Sequence, residues 1–166
     1  MTNPAAIPQF RLRQVCNICE VSERRLRSWL DRKQITLDAD TEREEGTTAH
    51  RRFSVFDLVR IETISRLVDY GAPVAEADRL AEEMLESPLR MLTKYRNTPP
   101  GAVFASLHGH VAVVWCSLPA DQPMWQWESY TDKRANDEAA VLRINFETLG
   151  QIVRDGIDIY ARGERD

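Results

Sequence analysis

The chain has 166 residues, 43% of them hydrophobic and 29% charged, enough for one ordinary core or two small ones. A formal net charge of −4 speaks against a surface that is basic all over, no apolar run reaches the ~18 residues of a membrane span, and the first ten residues lack the basic and apolar regions of an export signal. Three cysteines, an odd number, do not make a disulfide framework, and these features together place the protein in the cytoplasm.

The charge is unevenly spread. Residues 1–66 carry 12 Lys or Arg against 10 Asp or Glu, and the remainder is net acidic, so only the first part is suited to meet phosphates. Residues 1–9, with Pro4 and Pro8 and little periodicity, read as a flexible arm. Arg11 and Arg13 follow at the start of a first helix, where they reach a phosphate or simply stand in solvent; Leu12, Val15, Cys16 and Cys19 recur at helical spacing to form its apolar face. A turn falls at Glu20-Val21. Ser22 then sits where an N-cap is needed and Glu23 lies near the positive end of the helix dipole, so a second helix starts there. Its Leu26, Trp29 and Leu30 share one face, while Arg24, Arg25, Arg27 and Ser28 project from the other. A helix patterned this way packs on its partner and offers cations and hydrogen-bond donors to a DNA major groove. Lys33-Gln34-Ile35 closes it. Thr36-Leu37 is the outgoing strand of a wing and His50 to Phe53 the incoming one, with Asp38, Asp40, Glu42, Glu44 and Glu45 at the tip and Arg51 and Arg52 at the base.

Ser54-x-x-Asp57 has the form of a capping box with Asp in place of Glu, predicting a third helix from Val55 to about Tyr70. Gly71 supplies its C-cap and Pro73 opens a fourth helix to about Glu86, with Val74, Ala77, Leu80, Ala81, Met84 and Leu85 on one face. Both read as scaffold. Ser87-Pro88 repeats the cap signal for a short fifth helix through Tyr95, before a linker at 98–101.

Val21-Ser22 followed by Leu26-Arg27-Ser28-Trp29, then Arg51-Arg52-Phe53-Ser54 with Asp57-Leu58, then Ile61, Ile64, Leu67, Val68 and Gly71, resembles the winged helix-turn-helix of the MerR family over residues 10 to 86. Glu20 stands where that family commonly has Gly, and the wing is long and acidic. The resemblance implies sequence-specific binding of double-stranded DNA, with the helix Glu23–Arg32 in the major groove. Arg24, Arg25 and Arg27 then lie in or beside the groove, Ser28 lies near the backbone, and Arg51 and Arg52 hold phosphates. Arg11, Arg13, Ser22, Lys33 and His50 complete the expected DNA-facing set.

The last third changes character. Ala102 to Leu107 and Val111 to Ser117 are β-rich runs separated by His108-Gly109-His110, which reads as a hairpin. Met124 to Tyr130 alternates as a third strand, Ala140 to Ile144 reads as a fourth, and a terminal helix runs from about Phe146 to Ala161 with Asn145 as cap. The expected fold is a mainly α winged helix-turn-helix domain over 10–97, followed by a small α+β module over 102–166 in which one helix covers an antiparallel sheet. Pro88 and Pro99 leave room for barely two turns of the long helix with which the MerR regulators pair. Homodimerisation is therefore assigned to the C-terminal module, through the stripe Leu149, Ile152, Val153, Gly156, Ile157 and Tyr160; the simpler alternative is that this stripe covers its own sheet.

Constellations for chemistry are poor. Cys16-x-x-Cys19 has zinc-like spacing, yet both residues fall on one helix; His108 and His110 with Cys116 suit a metal or a solvated turn; Trp115, Trp125 and Trp127 line a pocket or fill a core. No Gly-rich phosphate loop, nucleophile elbow or paired-acid motif is present, so neither an enzyme nor a cofactor or metal is expected. The reading is a transcriptional regulator, a repressor rather than an activator, because MerR-type activation needs a rigid dimer and the helix that holds it is missing. An excisionase-like architectural factor and a protein-interaction adaptor that has lost DNA binding are the alternatives.

Overall fold

The structure is a computed structural model that describes residues 5–7, 9–37, 51–90, 92, 97–117, 124–129 and 141–162. The first third folds by local rules. Strand β1 (Phe10–Arg11) leads into helix α1 (Leu12–Ile18), and α2 (Glu23–Asp31) follows after a turn in which the Val21 N–H donates to the Cys16 carbonyl at 3.1 Å. Glu20 makes this turn at φ 49°, a left-handed conformation that costs a residue bearing a Cβ about 1 kcal/mol. The turn thus forms without the glycine that the family resemblance implies at this position.

Helix α2 is closed at both ends. The Ser22 hydroxyl accepts from the Arg25 N–H at 3.3 Å. At the far end the Gln34 N–H reaches the Trp29 carbonyl and the Lys33 N–H the Leu30 carbonyl, with Lys33 left-handed at φ 52°; this is a Schellman closure with lysine in the position usually held by glycine. Strand β2 (Arg52–Phe53) pairs antiparallel with β1, so that the buried Phe10 and Phe53 lie opposite each other, as do Arg11 and Arg52. The wing between 38 and 50, His50 included, lies outside the described residues.

Helix α3 (Val55–Asp69) carries both halves of the expected capping box: Asp57 accepts from the Ser54 N–H at 2.8 Å, and Ser54 accepts from the Asp57 N–H at 3.1 Å. Gly71 takes φ 109° after its end, and α4 (Val74–Leu89) follows Pro73. Two expectations fail from here. Ser87 and Pro88 do not start a new helix but form the last turn of α4, because Met84, Leu85 and Leu89 continue its buried face and outweigh the one hydrogen bond that Pro88 forgoes. Residues 102–107 are not a strand. They belong to α5 (Pro100–Ser106), where Pro99 and Pro100 preset the first turn and Val103 and Leu107, four residues apart, are both fully buried.

His108 to His110 is consequently a helix-to-strand turn, with Gly109 at φ 73°. Strand β3 (Val111–Ser117) is the centre of a three-stranded antiparallel sheet in the order β4–β3–β5, with β4 (Met124–Ser129) and β5 (Val141–Asn145) as its edges. The sheet has three strands among the described residues where four were expected, since the first of the four is α5. Tyr130 and Ala140, the outer ends of two expected strands, lie outside the described residues. Helix α6 (Phe146–Ala161) is capped as expected, Asn145 accepting from the Glu147 and Thr148 N–H groups at 3.0 and 3.3 Å. The fold is mainly α, with a small β module after the N-terminal helices.

One contiguous buried cluster runs from Ala5 to Val153 and crosses the expected domain boundary. Helix α6 packs on α1, α3 and α5. A Cβ at Gly156 would stand 2.9 Å from Ile18 Cγ2 and 3.1 Å from Ile18 Cα, so the glycine lets α6 lie directly on α1. Strand β4 hangs on α4: the Trp127 indole donates to Glu83 at 2.9 Å, Arg79 donates to the Trp125 carbonyl at 3.1 Å, and the Trp125 ring meets Tyr70 edge-on at 6.3 Å. The arm is tethered at Ala5, which is fully buried, donates to the Thr98 carbonyl at 2.6 Å and accepts from the Val55 N–H at 3.0 Å. No helix among the described residues is long and apolar enough to cross a membrane.

Candidate nucleic-acid interface

The amphipathic pattern of α2 is realised in space. Leu26 and Trp29 are buried beneath it, Arg24 and Arg27 are exposed, and Arg25 and Ser28 are half-buried. The cations are not equivalent. Arg25 Nη1 donates to Asp69 Oδ1 at 2.6 Å, at the end of α3, and its guanidinium carbon lies 4.8 Å from the centre of the Trp29 ring. Arg27 Nη2 and Nε both donate to Glu23 Oε1 one turn back, at 2.6 and 2.8 Å. Arg24 and Arg32 make no ion pair among the described residues. Two shallow depressions flank the helix, and Arg24, Ser28 and Arg32 line both. Arg32 was missed in the sequence reading. The signal was there: it stands four residues after Ser28 and eight after Arg24, on one stripe of a helix.

The wing base adds a second group. The β1–β2 register sets Arg11 opposite Arg52, on the face away from the two phenylalanines. Like charges directly opposite each other in a ladder repel, and an anion between them turns that repulsion into attraction. Arg11, Arg13, Arg51 and Arg52 form no ion pair among the described residues, and Arg11, Arg13 and Arg51 are exposed. Lys33, also exposed, follows α2 at its left-handed exit. Ser22 serves as the N-cap.

Asp78 is a supporting residue with no signal in the sequence, because its partners are far away in the chain. It is buried on α4; one carboxylate oxygen accepts from the Thr36 N–H at the wing root at 3.0 Å, and the other accepts from Arg60 Nη2 at 2.9 Å. The fourth helix is therefore more than scaffold: it holds the backbone at Thr36, where the chain leaves α2.

Beneath α1 and α2 lies a buried acid. Glu62 Oε1 accepts from Arg66 Nε at 2.8 Å, while Oε2 has no hydrogen-bond partner; burial raises the carboxyl above its ordinary range, and Arg66 opposes that shift. Burial likewise pushes up the thiols of Cys16 and, well above its ordinary value, Cys19, whose Sγ donates to the Leu58 carbonyl at 3.5 Å. Thiols held protonated in a core are packing groups rather than metal thiolates. No cluster of three metal-ligating side chains occurs among the described residues. His108 and His110 are exposed, and His108 Nδ1 lies 2.9 Å from Glu147. Trp125 is buried in the core and Trp127 packs against it.

The terminal-helix stripe is largely occupied within the chain. Leu149, Val153 and Gly156 are buried, chiefly against the helices α1, α3 and α5 rather than against the sheet alone; Ile152, Ile157 and Tyr160 are half-buried.

Residues 10–84 match the MerR HTH family regulatory protein, a span that holds α1, α2, the strands β1 and β2, α3 and most of α4. No curated protein matches the chain at a significant level.

Proposed function

Because residues 10–84 belong to the MerR helix-turn-helix family, which makes the chain a DNA-binding transcriptional regulator, we propose that it recognises a specific operator and acts as a repressor. The observation that carries this is α2, a helix capped at both ends with Leu26 and Trp29 buried below it and Arg24, Arg27, Ser28 and Arg32 turned outward. Such a helix enters a major groove without rearrangement. Arg11, Arg13, Arg51 and Arg52 hold phosphates beside it, and the opposed pair Arg11 and Arg52 takes its anion from the DNA backbone. The protein works in the cytoplasm, without a cofactor, as a homodimer, because a short recognition helix covers only a few base pairs and paired half-sites supply the rest. The pairing surface is in the C-terminal third. Within α6, the residues left for it are Ile152, Ile157 and Tyr160, which the chain's own packing covers only in part. Repression fits a chain whose described residues include no long pairing helix of the kind with which MerR regulators hold promoter DNA in a fixed twist.

The test is selection of bound duplexes from fragmented genomic DNA by the full chain, followed by binding isotherms at several salt concentrations. The reading predicts a two-fold symmetric motif near promoters and an affinity that falls steeply with salt. Enrichment of no sequence, with no salt-dependent binding, would leave the protein-interaction adaptor as the better account; a motif confined to recombination sites would favour the architectural factor.

A further inference from the structure

The arginines of α2 are alike in sequence and unlike in place. Arg25 is engaged on two sides: its Nη1 donates to Asp69 at 2.6 Å, and its guanidinium carbon lies over the Trp29 ring, 4.8 Å from the centre. Its backbone N–H is also the donor to the Ser22 cap. To contact guanine or phosphate through both arms of the fork, Arg25 has to surrender the carboxylate and leave the ring, losing two favourable interactions before gaining any. Arg24 and Arg32 have no such ties among the described residues, and with Ser28 they form a stripe at spacing four along the exposed side of the helix.

We propose that Arg25 is a positioning residue that braces α2 against the end of α3 through Asp69 and Trp29, and that sequence reading falls to the stripe Arg24, Ser28 and Arg32. This division rests on the proposed function above, since it takes α2 as the element that meets DNA. It gives a role to an acid that is otherwise out of place. Asp69 has a side chain 57% exposed, and near a phosphate backbone an exposed carboxylate weakens binding unless it does something else. As the anchor of Arg25 it fixes the angle at which α2 leaves the protein. The two arginine roles also separate by chemistry, because a brace needs the planar fork and stacking surface, whereas a phosphate contact needs little more than the charge.

The sign of one substitution separates the possibilities. The full chain is used to select a short duplex from a random pool. Binding to that duplex and to a scrambled one is then measured by fluorescence anisotropy at several salt concentrations, with folding followed by circular dichroism. Asp69→Ala and Arg25→Ala should each weaken binding by a similar factor, about three- to ten-fold, with the selected sequence and the salt slope unchanged and the double variant no weaker than either single one. Arg25→Lys should behave like Arg25→Ala, and Arg32→Ala should lower the salt slope by about one unit or relax the preference at one base pair. Tighter or unchanged binding by Asp69→Ala would overturn the brace, as would a salt slope lowered by about one unit, or a relaxed base preference, in Arg25→Ala. If Arg25→Ala fails to fold, Arg25→Lys and Asp69→Asn give the same readings. A parent chain that selects no sequence defeats the proposed function and this division together; a parent that selects one, with Asp69→Ala tighter, defeats the division alone.

Discussion

The two halves of the molecule are held together by contacts of different range. From Ser22 to Leu89, each helix is started or stopped by residues three to five positions away: Ser22 with Arg25, Ser54 with Asp57, Gln34 with Trp29. The C-terminal third depends on distant partners. Trp127 is held by Glu83 across 44 positions, the Trp125 carbonyl by Arg79 across 46, and α6 lies on Ile18 of the first helix. The helix ends of the first region are thus set locally, although Arg25–Asp69 and Thr36–Asp78 also tie it together across 44 and 42 positions, and the second region is built onto its back. A change in the C-terminal sheet or in α6 therefore bears directly on the N-terminal helices, since α6 lies on α1 and α3 and β4 lies on α4.

The largest effect should come from the junction of the two regions. Leu107→Ala removes a fully buried side chain beneath Gly150 of α6 and should cost about 2 to 5 kcal/mol in urea unfolding. A cost below ~1 kcal/mol would mean that α5 does not seal the joint. Gly156→Val comes next. Its Cβ would meet both the side chain and the backbone of Ile18, so a cost of about 1 to 3 kcal/mol is expected, together with weaker DNA binding although no DNA-facing residue has changed. Unchanged stability would show that the approach of α6 to α1 is looser than it looks.

Glu20→Gly tests the half whose helix ends are set locally. Glycine relieves the left-handed strain of about 1 kcal/mol at the turn but loses about 0.5 kcal/mol or more of entropy on folding, so a net gain of up to about 0.5 kcal/mol is expected in the melting curve. Glu62→Gln is the smallest and is read through pH. Glu62 holds its proton more tightly when folded, so its charge opposes folding increasingly as pH rises from the ordinary carboxylate value of 4.5 through the raised folded value. The substitution should therefore stabilise the protein at neutral pH, and the gain should fade as the solution is taken below pH 4.5. A gain that persists in acid, or a loss at neutral pH, would mean that the Arg66 ion pair outweighs burial.

This difference in range also decides what was legible in the sequence. The Ser54-x-x-Asp57 box, the Ser22 cap, the Asn145 cap and the 3.6-residue stripes of α2, α4 and α6 are local signals, and the helices form where those signals lie. Residues 102–107 carry a local ambiguity: Ala-Val-Phe-Ala-Ser-Leu suits a strand by composition, and only the burial of Val103 with Leu107, against elements far along the chain, selects the helix. That Arg24, Arg27 and Ser28 point away from the buried Leu26 and Trp29 was legible from the helical spacing; Arg32, on the same outward side, lies just past the helix end, where a charge reads as a terminus. Asp78 and the Arg25–Asp69 contact were not legible, since nothing in the spacing of residues 36 and 78, or 25 and 69, brings them together. The same holds for Gly156, whose close neighbour is Ile18 of its own chain.

The central claim is that the exposed stripe of α2 reads base sequence, and the most direct measurement is the motif selected by Arg24→Ala beside that of the parent chain, both as full-length protein from the same random pool. The account predicts that the parent selects a defined motif and that the variant loses preference at one base pair in each half-site, by about 1 to 3 kcal/mol, while the other positions keep theirs. An identical motif at identical affinity, from Arg24→Ala and likewise from Arg32→Ala, would contradict it.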